Sequence, residues 1–106
     1  MKGNMSMDIT LNREALLSAA LDAERIAPQH SPVELLRCAY LVTEEGKLTV
    51  AAGDVECALE RQVTCDIRRN GHAAVNAKLL ARMLRLLEGE TVSILASERN
   101  TIEIKS

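Results

Sequence analysis

Aromatic residues are almost missing from this chain of 106 residues: it has no Trp, no Phe and one Tyr. Modules that hold single-stranded nucleic acid by stacking bases on aromatic rings are therefore excluded. Charge of one sign is also lacking. Thirteen Lys and Arg stand against fifteen Asp and Glu, a formal net charge of −2, so the chain is not a generally basic binder. The three cysteines, Cys38, Cys57 and Cys65, are an odd number without a C-x-x-C pair or a matching His spacing. A disulfide framework and a zinc site are both disfavoured; at least two of the cysteines are expected to act as small buried apolar residues, with a redox role as the alternative. No apolar run reaches bilayer length and no signal-peptide core is present, so a soluble cytoplasmic protein without membrane contact is expected. Nucleophile elbows, Gly-rich phosphate loops and metal-type carboxylate clusters are missing too, which leaves neither an enzyme nor a cofactor to expect.

What is present has its clearest grammar between Asn70 and Ile94. Asn76 is a good N-cap, because its side-chain oxygen can accept a free amide at a helix start. Leu79, Leu80, Met83, Leu84, Leu86 and Leu87 follow helical spacing and form a broad apolar face. Lys78, Arg82 and Arg85, at i, i+4 and i+7, lie along one side of the same helix. Gly89 closes a turn before the strand Thr91–Ala96, which pairs with Thr101–Ile104 across the loop Ser97–Asn100.

An earlier, longer copy of that unit precedes it. Asp8–Leu11 alternates as a strand, Asn12 is a second N-cap, and the apolar positions from Leu16 to Ile26 make a helix that Pro28 ends. The outward positions of that helix, Glu14, Ser18, Asp22 and Arg25, are mixed and slightly acidic. Beyond the proline-containing loop, Leu35–Thr43 and Lys47–Ala52 form a hairpin around Glu44-Glu45-Gly46. Gly53-Asp54 turns the chain into a third strand over Val55–Ile67, where Ala58, Leu59 and Glu60 blur the period and leave a helix open. Arg68–Gly71 is read as the linker to the second unit, and His72 as the start of its first strand.

Written as elements, the chain is β-α-β-β-β followed by β-α-β-β, an architectural repeat. The fold class is α+β, with two helices on one face of antiparallel sheets. Residues 1–6 are set aside as a flexible leader, and 7–106 make one domain of two half-repeats, 7–67 and 71–106.

Five stretches carry a resemblance to a known family: Met7–Leu17, the hairpin Glu45–Val50, Gly53–Glu56, Gly71–Leu80 and Glu88–Val92. In this order and spacing the chain resembles the N-terminal domain of the bacterial DNA polymerase III β subunit, the sliding-clamp family. The resemblance implies a ring of repeated domains, helices lining the hole and sheets forming the wall. It also implies sequence-independent encirclement of duplex DNA without catalysis, and tethering of a DNA polymerase. Against that pattern His30 falls near an expected Arg, Glu34 stands for a Pro before Leu35-Leu36, and Asn76 stands for the Pro that opens the second helix. The family's last strand of this domain begins about where Ser106 stands, so that strand is expected to be missing.

The candidate DNA-contacting residues are Lys78, Arg82 and Arg85, joined by Arg25 and His30. A solvated helix face accounts for the first three equally well, since cations late in a helix suit its dipole. Three cations release few counterions, so any contact should be weak and salt-sensitive. One domain covers a sixth of a family-like ring, and about six copies would close one, which makes self-association or pairing with another clamp subunit the expected assembly. The alternative is a clamp-derived interaction or regulatory module that does not bind DNA.

Overall fold

Alternation decides the strands. In β1 (Met5–Asn12) the side chains of Met7, Ile9 and Leu11 are buried while Asp8 and Thr10 face the other way. The same period runs through β2 (Cys38–Glu44), β3 (Lys47–Gly53) and β6 (Thr91–Ser97). It also resolves the ambiguous third strand: Ala58–Arg69 is one long strand, β4, with Val63 and Cys65 buried. The short strands β5 (His72–Asn76) and β7 (Ile102–Lys105) complete the set. This computed structural model describes residues 5–27, 33–53, 58–97 and 101–106. Asp54, Cys57, Pro28 and His30, each given a reading above, lie outside the described residues.

Both helices start where the sequence puts them. Asn12 accepts a hydrogen bond from the Ala15 amide at 2.8 Å and opens α1 (Arg13–Ile26). Asn76 accepts one from the Leu79 amide at 3.0 Å and opens α2 (Ala77–Leu86). Each cap satisfies an amide that has no partner inside its own helix. Helix α1 buries Leu16, Ala19, Ala20 and Ala23, and α2 buries Ala77, Leu80, Ala81 and Leu84. They pack on each other and share one core with Met7, Ile9, Leu41, Leu48, Val50 and Ile94.

The seven strands run in the order β5-β2-β3-β4-β1-β6-β7, and every pair is antiparallel. Strand β4 joins the two half-repeats. Its first part, from Ala58 to Thr64, pairs with β3, and its second part, from Cys65 to Arg69, pairs with β1. The two antiparallel sheets of the repeat are thus continuous through one strand.

Three boundaries differ from the sequence expectation. The second strand does not begin at Leu35: Glu34–Arg37 is a single 3-10 turn, with the Leu36 amide donating to the Val33 carbonyl at 3.1 Å. Adjacent leucines there break the alternation a strand needs. Arg68 and Arg69 are not linker but the end of β4, where Arg68 reaches Asp8 at 3.2 Å and the Thr10 hydroxyl at 2.7 Å across the sheet. At the other end, β1 begins at Met5, opposite Ser97, so two residues set aside as leader belong to a strand.

Two turns depend on special backbone. Glu45 at φ 51° and Gly46 at φ 79° form the two-residue hairpin between β2 and β3, which needs positive φ at both positions. The turn from β4 to β5 is held by Thr43 instead. Its buried hydroxyl donates to the Asn70 side chain at 2.9 Å and accepts from the Gly71 amide at 2.8 Å.

Candidate nucleic-acid interface

The surface to test is the helix layer. The turn after α2 brings the chain back beside the start of α1, and Arg13 fixes the two there. Its guanidinium donates to the carbonyls of Leu84 at 3.1 Å and Gly89 at 2.9 Å, and its own amide donates to Glu90 at 2.8 Å. The start of α1 therefore lies against the end of α2, and the helices run antiparallel. A cation at the carbonyl end of α2 also complements that helix's dipole. Arg13 is thus committed to the fold and is not available to a ligand.

On α1 the remaining charges are largely engaged with one another. Asp22 sits between Arg25 at 3.3 Å and Arg61, which rises from the helix side of β4 to form the shorter contact. Arg25, offered by the sequence as a DNA contact, keeps a side chain 76% exposed but already faces a carboxylate. Glu14 is exposed on the same helix. A shallow groove along the outward side of α1 is lined by Glu14, Leu17, Ser18, Leu21, Asp22 and Arg25.

Helix α2 presents the opposite character. Lys78, Arg82 and Arg85 are all exposed, and among the described residues none makes an ion pair or hydrogen bond. The structure brings these three together, leaves Arg25 on the neighbouring helix, and does not describe His30. The apolar face expected on α2 is narrower than its leucine spacing suggests. Leu80 and Leu84 are fully buried, but Leu79 is 45% and Leu86 is 76% exposed. Both lie on the outer crest with Arg82, at i, i+3 and i+7. A run with leucines on all sides cannot by itself tell which of them face the core, and only the alanines Ala77 and Ala81 mark the buried line.

Other chemistry is sparse. Among the described residues no group of three or more His, Cys, Asp and Glu is placed to hold a metal ion. Cys38 and Cys65 are buried and neither forms a disulfide among the described residues. Burial, with the neighbouring Asp66 carboxylate adding to it, pushes the Cys65 thiol up from its ordinary value. No helix among the described residues is long and apolar enough to cross a membrane.

Known proteins share this arrangement. The family described as DNA polymerase III beta subunit, N-terminal domain, matches residues 7–106. A beta sliding clamp of Streptomyces coelicolor is 32% identical over 88 residues, which are 83% of this chain and 23% of that protein. Among solved structures, the sliding clamp of Caulobacter crescentus superposes with a TM-score of 0.87 at 24% identity, over 94% of this chain and 28% of that one. The clamp of Bacillus subtilis gives 0.88 at 16% identity, over 95% and 29%. At these identities the superpositions speak for the fold, and this chain spans less than a third of each relative. Two capped antiparallel helices on one face of a duplicated antiparallel sheet, matched along nearly the whole chain, place it in the DNA polymerase III beta subunit N-terminal domain family.

Proposed function

We propose that this chain serves as a sliding-clamp domain: a non-catalytic part of a cytoplasmic replication processivity factor whose helix layer faces duplex DNA. The carrying observation is the unpaired row of Lys78, Arg82 and Arg85 on the exposed side of α2. Cations that make no ion pair or hydrogen bond among the described residues suit a surface that must slide, because they attract phosphate without fixing a register. With Glu14 and Asp22 in the same layer, the attraction is modest. Encirclement would come from assembly, through self-association or pairing with a longer clamp subunit, and a DNA polymerase is the partner such a ring would tether. Arg25 and His30 are secondary contacts in this reading.

The test is fluorescence anisotropy of a labelled duplex titrated with the chain at low and moderate salt. Weak binding that falls steeply with salt, and that disappears when Lys78, Arg82 and Arg85 are reversed to Glu, is the expected result. Binding insensitive to those reversals would sink the DNA-facing role. A second reading, an interaction or regulatory module that does not bind DNA, is favoured by the two exposed leucines on the same helix. Phosphate gains nothing from an exposed Leu, whereas a protein surface does.

A further inference from the structure

We infer that the sheet face turned away from the helices carries a docking ledge for a short extended peptide with an Arg or Lys two positions from an apolar residue. This goes beyond the DNA-facing reading and does not rest on it, since it uses the opposite side of the molecule. Alternation in β2 buries Ala39, Leu41 and Thr43 on the helix side and turns Tyr40 and Val42 outward. Tyr40, the chain's single aromatic residue, is 38% exposed, and Val42 is 46% exposed. Strand β2 lies between β5 and β3, where the solvent face of an antiparallel sheet is ordinarily polar.

Register arranges the neighbours of these two side chains in rows across the sheet. One row runs Glu60, Ala51, Tyr40, Ala74, and the next runs Gln62, Thr49, Val42, His72. Alanine on both sides leaves the Tyr40 ring without a bulky cross-strand neighbour. Glu60 stands two strands away, about 10 Å. It is exposed and makes no ion pair or hydrogen bond among the described residues. Glu44 and Lys47 stand opposite each other at the hairpin end and offset one another, so Glu60 is the uncompensated charge beside Tyr40.

Size and charge select the occupant. Three strands about 4.8 Å apart and two outward positions about 7 Å apart give a ledge of roughly 10 by 7 Å. A standard interface between folded proteins buries roughly 800 Å² on each partner, so the ledge suits a few side chains of an extended segment and not a second copy. A peptide cation laid over Ala51 reaches both the Tyr40 ring, whose face attracts positive charge, and the Glu60 carboxylate. An apolar residue two positions along an extended peptide, about 7 Å away, falls over Val42. Phosphate, whether of nucleic acid or of lipid, is repelled by Glu60 and gains nothing from Val42.

NMR titration of the isotope-labelled chain tests the ledge, with circular dichroism confirming that each variant is folded. The probes are the end-blocked peptide Ser-Arg-Ser-Val-Ser and its counterpart Ser-Glu-Ser-Val-Ser. Saturable shifts are expected at the amides around Tyr40, Ala51 and Ala74, and with the Arg peptide only. Tyr40→Phe should bind as the native chain does, and Tyr40→Ala should weaken binding by about threefold or more. Glu60→Lys, at an exposed position, should lose the Arg peptide and take up the Glu peptide. No saturable shifts, shifts confined to the helix layer, or equal response to both peptides would overturn the proposal. A Tyr40→Ala chain that binds as tightly as the native one, or a Glu60→Lys chain that keeps the native preference, would overturn it as well.

Discussion

The two helices share a blueprint and differ in what surrounds their charges. Each begins at an asparagine cap that follows directly from a strand, and each lays an alanine-rich line on the same core. On α1 the cations are spent internally: Arg13 on the carbonyl end of α2, Arg25 on Asp22, with Arg61 reinforcing the latter from the sheet. On α2 all three cations, and two leucines, are left to solvent. A duplicated unit can thus keep its packing while its two copies divide the work, one helix tying the halves together and the other offering a surface.

That division can be broken in order of severity. Leu84→Ala removes a fully buried side chain of α2, and should cost about 2 to 5 kcal/mol in denaturant unfolding. If Leu86→Ala, two residues away but 76% exposed, costs a comparable amount, the assignment of buried and exposed leucines is wrong. Arg13→Ala should lose roughly 1 to 2 kcal/mol, discounted for its partial exposure, because two carbonyls at the end of α2 lose a charged donor. Asn12→Ala and Asn76→Ala should each cost about 1 kcal/mol, and near-equal losses would show that the caps are equivalent even though the helix surfaces are not. Glu45→Asn should raise stability by somewhat less than about 1 kcal/mol, since Asn tolerates the positive φ that Glu adopts in the β2–β3 turn.

The smallest effect is in pH. The folded Cys65 thiol titrates above its ordinary value of 9.0. Below that value both folded and unfolded chains hold the proton and no difference arises. As pH rises past it the unfolded chain gives up the proton first, so stability should fall with increasing pH there. Unfolding midpoints measured in alkaline buffers would check this, with Cys65→Ala flattening the dependence.

Much of this architecture is legible in the residues because local signals agree. Asn12 and Asn76 stand just before helical periodicity, and Glu45-Gly46 stands between two alternating runs, so element order and type follow directly. The misread places are those where local signals are mute. Leu35-Leu36 looks like the start of a strand until the chain needs a turn to enter the sheet. Arg68-Arg69 looks like a solvated linker because nothing local reveals Asp8 and Thr10 on the neighbouring strand β1. For the surface, charge spacing identifies Lys78, Arg82 and Arg85 as a row, but it cannot tell that Arg13 and Arg25 are occupied while that row is not. Leu79 and Leu86 are hidden for a related reason: a helix rich in leucine has no sequence mark for the one that faces out.

The placement of β1 carries a consequence for how the molecule comes into being. It lies between β4 and β6, so Ile9 pairs with Ile67 on one side and Ile94 on the other. Strand β1 is made before every other described strand, yet it is enclosed only once β6, made after all of them but β7, has emerged. Until β6 emerges, one edge of β1 is open, and a nascent chain stalled before Thr91 would expose a pairing-competent strand.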